Sequence, residues 1–446
     1  MVTDYRDYKP VVFDTISLEQ IASPDYQRFI ESATIEPGVR LLLARRAIRP
    51  DWPFIDTKFN PNTGLDLPAD RYDVIFGWML GRGCESLAGH LAVLDSLPSL
   101  TAAERGEARV YFSQLLPDTA AAIVSILDAN HGRCPFCVNR RFEAVDATGQ
   151  PVEVPTNVRG AADLFVGKGL VAAGSPGHLA RGLAKLVDGA EFVRRNGYAD
   201  QQGADLTNKI STGPRMLMQA VPLLVREQTA DPAMRKIALD IAADFLRFIL
   251  DHHYDESAGT YSEQIRADSF ERATWFDPGH ATEFVGLGLG AVEAMEVEPN
   301  YLTDDLRSLV QRAKVMLPRL VVWAVQVGWN HRHDGLHKAV DWKTGQVLND
   351  DMPWWNLPET MRAVVRSLEV SREESLRPKL LECFRLCHNA YFGRYLNRDK
   401  MLFPYQTRSG ATGLVADKVP AVPEGDPLYH TNLAMLDMLT VLRRVW

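Results

Sequence analysis

The stretch Trp275-Phe276-Asp277-Pro278-Gly279-His280-Ala281-Thr282-Glu283 reads as the start of a helix. Asp277 is a capping residue type, Pro278 suits the first helical position, and apolar residues then recur at helical spacing over 278–297. On such a helix His280 and Glu283 stand at i and i+3, on one face. An imidazole titrates near neutrality, and a carboxylate one turn away can fix its tautomer or raise its basicity, which suits proton abstraction beside a carbonyl. The plainer alternative is a capped helix whose His280 packs against aromatic neighbours while Glu283 serves the helix dipole.

The same periodicity governs most of the chain. Apolar residues at i, i+3, i+4 spacing mark helices over 72–94, 102–127, 161–173, 178–196, 206–227, 231–252, 278–297, 304–327, 355–370, 373–392 and 427–445, with less regular ones near 18–32 and 39–47. About a dozen helices is the number that closes six helical hairpins into a ring. Between alternate helices lie short stretches of one type, 59–64, 145–149, 254–259 and 340–345, each pairing Asn or Asp with Gly beside aromatic or β-branched residues, as a tight β-hairpin requires. The expected class is all-α with small β-hairpins in the loops. No Pro/Gly/Ser-rich linker divides the chain, so residues 1–446 read as a single domain.

Composition narrows the function classes. Hydrophobic residues make up 46% and charged residues 24% of 446 residues, ordinary for a globular protein with a large core. The net charge is −8 and no Lys/Arg-rich run could track a phosphate backbone, so nucleic acid is not expected as a partner. The first residues contain no apolar signal segment, and no stretch approaches 18 uninterrupted apolar residues; no membrane partner and a cytoplasmic location are the expectations. Cys84, Cys134, Cys137, Cys383 and Cys387 read as free thiols. His131, Cys134 and Cys137 could contribute to a zinc site but lack a visible fourth ligand, and His331, His333 and His337 surround an Asp334-Gly335 turn. Neither this pattern nor any glycine-rich nucleotide fingerprint argues for a metal or a cofactor, and none is expected.

Two further motifs join the first. Met352-Pro353-Trp354-Trp355-Asn356-Leu357-Pro358-Glu359 places a carboxylate just after paired indoles, residue types that stack on sugar rings and bind their hydroxyls. Leu428-Tyr429-His430-Thr431-Asn432 puts a second histidine at the start of the last apolar helix. In this order and spacing the three segments resemble the N-acylglucosamine 2-epimerase superfamily, with its Pro-Gly-His-x-x-Glu, Trp-Trp-x-Gln-x-Glu and Tyr-His-Thr motifs. Trp78-Met79-Leu80-Gly81-Arg82 is similar to an early family segment whose Arg binds sugar oxygens near the reacting carbon.

The resemblance implies a closed (α/α)6 barrel and cofactor-free 2-epimerisation or aldose–ketose isomerisation through an enediol. It implies His280 and His430 as paired proton carriers, with Glu283 beside them and Arg82 stabilising the enediolate. Trp78, Trp355, Glu359, Tyr429, Met216 and Asp163 are the residues it places around the sugar. A small-molecule sugar is the expected partner, and a monomer or homodimer the expected assembly. The chain departs from the family pattern at Leu357 and Leu433, where relatives carry Gln and Arg. Its Pro214-Arg215-Met216-Leu217-Met218 lacks the histidine of many isomerases. Both leucines lead one to expect a more apolar pocket and a less hydroxylated or modified sugar. Two other function classes remain at this stage: a glycoside hydrolase or lyase on the same barrel, using Glu283 and Glu359 as its carboxylate pair, and a non-catalytic carbohydrate- or protein-binding member of the family.

Overall fold

The computed structural model describes residues 9–199, 206–397, 403–404, 406–416 and 424–446, so the first eight residues, which contain no apolar signal segment, lie outside it. Six outer-then-inner helical pairs follow one another along the chain. Short helices α1 (Leu18–Ala22), α2 (Pro24–Ile30) and α3 (Glu36–Ile48) lie outside and lead to inner α4 (Gly77–Val93). Then come outer α5 (Ala102–Ala129) and inner α6 (Ala161–Ala172), and outer α7 (Pro176–Arg194) followed by inner α8 (Gly213–Leu217) and α9 (Val221–Gln228). Outer α10 (Pro232–Phe248) precedes inner α11 (Pro278–Val297), outer α12 (Asp304–Gly328) precedes inner α13 (Asn356–Val370), and outer α14 (Arg377–Ala390) precedes inner α15 (Ala434–Val445).

Neighbouring inner helices pack side by side in this order, and the turn that leads into α15 returns to α4, which closes the ring. The inner helices are buried nearly all round: every residue of α6 except Ala161 is buried, as are most of α11 and α13. Outer helices such as α10 and α12 keep one polar face. Where α4 meets α6 the two backbones touch; a side chain at Gly81 would lie 2.1 Å from the Phe165 carbonyl oxygen, which is why the residue before Arg82 has none. Helix α5 is long and apolar enough to cross a membrane, but half of its most apolar stretch is buried inside the protein.

All four expected hairpin turns form, and Gly64, Gly149, Gly259 and Gly345 each supply the positive φ that the turn needs. The helix expected over 206–227 starts only at Gly213, because Lys209–Ser211 pairs as a strand with Gln264–Arg266. The helix expected over 72–94 likewise starts at Gly77, since Ile75–Phe76 pairs with Cys137–Val138. Outer helices α10 and α14 end in wide π-turns, Ile249–His253 and Tyr391–Tyr395. The helix expected over 427–445 begins with another, Tyr429–Leu433.

Candidate active site

The N-terminal ends of the inner helices converge on one cavity of about 460 Å³. Its wall takes Trp78 and Arg82 from α4, Phe165 from α6, Met216 from α8, His280 and Glu283 from α11, Trp355 from the start of α13 and His430 from the π-turn before α15. Helix N-termini carry unpaired N–H groups and a partial positive charge, so their convergence favours an anion that develops in the cavity.

His280 lies in the first turn of α11, which Asp277 caps through bonds from the N–H groups of Gly279 and His280. Its expected partnership with Glu283 does not form. The carboxylate that takes the Nδ1 hydrogen is Glu263, at 3.0 Å, with Asp277 at 3.5 Å. Thr212 donates to the same Glu263 oxygen, and Lys338 pairs with Asp277. Burial opposes a charged imidazole here, but Asp277 and Glu263 outweigh it, and the His280 pKa rises above its ordinary value. The charge count agrees: two carboxylates and one ammonium become neutral only when the imidazole holds its proton.

His430 has the opposite bias. Its Nδ1 hydrogen goes to Glu359 at 2.8 Å, and Glu359 in turn pairs with Arg362. Nε2 is then the nitrogen left for the cavity. Burial, reinforced by Arg82, holds its pKa well below the ordinary imidazole range, so His430 is neutral. The segment that carries it is strained: Leu428 sits at φ 66°, a left-handed conformation unusual for a bulky residue. Asp426 accepts from Thr431 on one side of the turn, while the Asn432 amide reaches His90 of α4 on the other.

Trp355 lies between the two histidines. Its ring is 5.7 Å from that of His280 and 5.2 Å, nearly parallel, from that of His430. Gly279 makes this possible, since a side chain there would strike Asn356 and Trp355. Trp354 is the structural member of the pair; it is 2% exposed and donates its indole hydrogen to Gln406.

Arg82 is enclosed by the rings of Trp78, Phe165 and Tyr429, at 4.5, 4.3 and 4.9 Å, and its Nε is buried without a hydrogen-bond partner. Tyr429 backs this wall rather than lining the cavity, and its hydroxyl accepts from Lys168. Glu283 lines the cavity but belongs to the neighbourhood of His430, where its carboxylate lies within 4.8 Å of ligand atoms of Glu359 and His430.

Three further sequence expectations require correction, at Asp163, Leu357 and Leu433. Asp163 does not reach the cavity; it is fully buried among Arg133, Lys185 and the N–H groups of Cys134 and Gly160. Leu357 is likewise fully buried in the core. Leu433 packs against Gly89 of α4, so neither leucine lines the cavity or makes it apolar. The apolar wall comes instead from Phe76, Trp78, Phe136, Phe165 and Trp275. Sequence reasoning also missed Glu263, Lys338 and Asp426, each on a loop segment outside the three motifs.

Glu283, Glu359 and His430 are the one group among the described residues whose donor atoms could gather round a cation. Their existing bonds fit a proton relay better: Nδ1 of His430 and one oxygen of Glu359 bind each other, and Arg362 already neutralises the carboxylate. The five cysteines are buried free thiols, and burial pushes Cys137 up to about 12.

A model of the N-acylglucosamine 2-epimerase (GlcNAc 2-epimerase) family matches residues 172–422. The chain belongs to this family. The matched span contains His280, Glu283, Trp355 and Glu359, whereas Arg82 and His430 lie outside it and join the site through the fold. Among solved structures, cellobiose 2-epimerase from Spirochaeta thermophila DSM 6192 is similar with a TM-score of 0.66 at 13% identity, over 96% of this chain and 98% of that one. Cellobiose 2-epimerase from Bacillus thermoamylovorans B4167 gives 0.65 at 12% identity over 93% and 99%. A D-mannose isomerase gives 0.63 at 16% identity over 94% and 98%. These likenesses show the fold, the (α/α)6 barrel. No curated protein matches the sequence.

Proposed function

We propose that the protein is a carbohydrate epimerase or aldose–ketose isomerase that moves a proton at C2 of a sugar without a cofactor. The observation that carries this reading is the pair of imidazoles on one cavity, each held at Nδ1 by a carboxylate, Glu263 for His280 and Glu359 for His430, in surroundings that raise the His280 pKa and lower that of His430. His430, biased toward its neutral form, can take the proton next to the sugar carbonyl, and His280, biased toward its charged form, can return one. A single base in a tight site tends to give the proton back to the face it came from; two carriers remove that restriction. Between the two steps the substrate is an enediolate, and Arg82 together with the converging helix N-termini offers the fixed positive potential it needs.

A hydrolase or lyase reading has less support, because Glu359 is committed to His430 and Arg362 and is not a free partner for Glu283. The aromatic wall supports a sugar that presents an apolar face or substituent, such as an acylated or deoxy sugar. Incubation with mannose, glucose, N-acylmannosamine and cellobiose in D2O tests the proposal. Deuterium at C2 with formation of the epimer or ketose is expected. Bond cleavage, or unchanged sugar across an acylated and deoxygenated series as well, would overturn it.

A further inference from the structure

We propose that Lys338 sets the proton affinity of His280 through a carboxylate the two share, Asp277. The relationship is built by strand pairing. Ala339–Asp341 runs antiparallel to Trp275–Phe276, with Val340 opposite Phe276 and Asp341 opposite Trp275, so the residue before the strand comes alongside the start of α11. The Lys338 amide donates to Asp351, which fixes its backbone, and its ammonium lies 5.2 Å from the centre of the Trp355 ring.

Asp277 divides its two oxygens. Oδ1 caps α11, while Oδ2 faces both Lys338 Nζ and, at 3.5 Å, His280 Nδ1. The charged groups that face the His280 ring are therefore Glu263, Asp277 and Lys338, with the neutral Trp355 ring from α13 on its side. Without Lys338, two carboxylates would act on the imidazole uncompensated. The imidazolium would be a weaker acid and would return its proton to the enediolate more slowly. Lys338 lines the cavity, but the contact the inference uses is the one with Asp277, through which it acts as a positioning residue that tunes the acid.

The inference rests on the acid–base reading of His280, but its test does not need turnover. His280 is followed by NMR of ¹⁵N-imidazole-labelled protein through a pH titration, with His280→Gln used to assign the signal. In Lys338→Met the His280 midpoint moves to higher pH, and in Lys338→Arg it returns towards wild type. Asp277→Asn, which keeps an oxygen for the cap, moves it to lower pH and provides an independent variant should Lys338→Met not fold. In turnover, Lys338→Met lowers kcat on the order of tenfold with KM nearly unchanged, and the alkaline limb of the profile follows the NMR midpoint. An unchanged His280 midpoint in Lys338→Met, or in Asp277→Asn, overturns the inference and leaves Lys338 as a strand anchor. A shifted midpoint in a protein that turns over no sugar would instead count against the proposed function alone.

Discussion

Glu263, and not Glu283, holds the imidazole of His280: its Oε1 lies 3.0 Å from Nδ1, although 17 residues separate the two in sequence. Glu359 does the same for His430 across 71 residues. Each histidine thus has a carboxylate that fixes its tautomer, and the surrounding charges then push the two pKa values apart.

That divergence predicts the pH profile. The raised His280 pKa keeps this group protonated as pH climbs past the ordinary 6.5, and the depressed His430 pKa keeps that one neutral as pH falls below it. Activity should form a plateau that spans 6.5 on both sides, lost above the His280 pKa and below the His430 pKa. Measurement of kcat/KM against pH checks it; a narrow peak at 6.5 would show that the two groups are not separated.

Arg82→Met should lower kcat/KM by roughly 10²–10³-fold, the usual cost of one fixed donor to a developing oxyanion. Melting should change little, since Arg82 sits among rings and its Nε has no hydrogen-bond partner. Steady-state kinetics beside thermal melting separates this outcome from simple unfolding.

Burial lifts the carboxyl of Asp426 from 3.8 to about 6, against the pull of Arg82 and Thr431. A carboxyl with a raised native pKa favours the folded state while it is protonated, and that contribution is lost as pH rises through the native value. The loss is up to about 3 kcal/mol at 1.36 kcal/mol per unit. Asp426→Asn can still accept from Thr431, so it should raise the melting temperature well above pH 6 and alter it little near about pH 4. Melting curves at both pH values test the sign.

Much of this site was legible because its parts are local. A capping Asp, a Pro at the first helical position and a His one turn later specify the start of α11 from nine residues, and the boundaries Pro278–Val297 follow from periodicity. The hairpin turns were legible for the same reason, through their glycines at positive φ. The partnerships of the histidines were not. Glu263 reaches His280 from a strand segment whose position depends on pairing between Lys209–Ser211 and Gln264–Arg266, and nothing in its neighbours marks it. Asp163 misled because its place on α6 suits a pocket residue, whereas its charge is spent on Arg133 and Lys185 behind the wall. Leu357 and Leu433 misled in the same way, since helical phase turns both into the core.

Removal of divalent ions by chelation should leave activity unchanged, because Glu359 and His430 are bonded to each other and Arg362 supplies the positive charge beside them. Loss of activity on dialysis against EDTA, with recovery on adding one divalent ion, would reassign Glu283, Glu359 and His430 as ligands.

The most direct test of two proton carriers is exchange at C2 in D2O, followed by NMR for each epimer separately in His280→Ala and His430→Ala. Each variant should lose interconversion by roughly 10²–10⁴-fold or more while remaining folded. Each should still exchange the C2 proton of one epimer only, and the two variants should select opposite epimers. Interconversion above about a tenth of wild type in either variant, set against that expected loss, or exchange of the same epimer by both, would contradict the account.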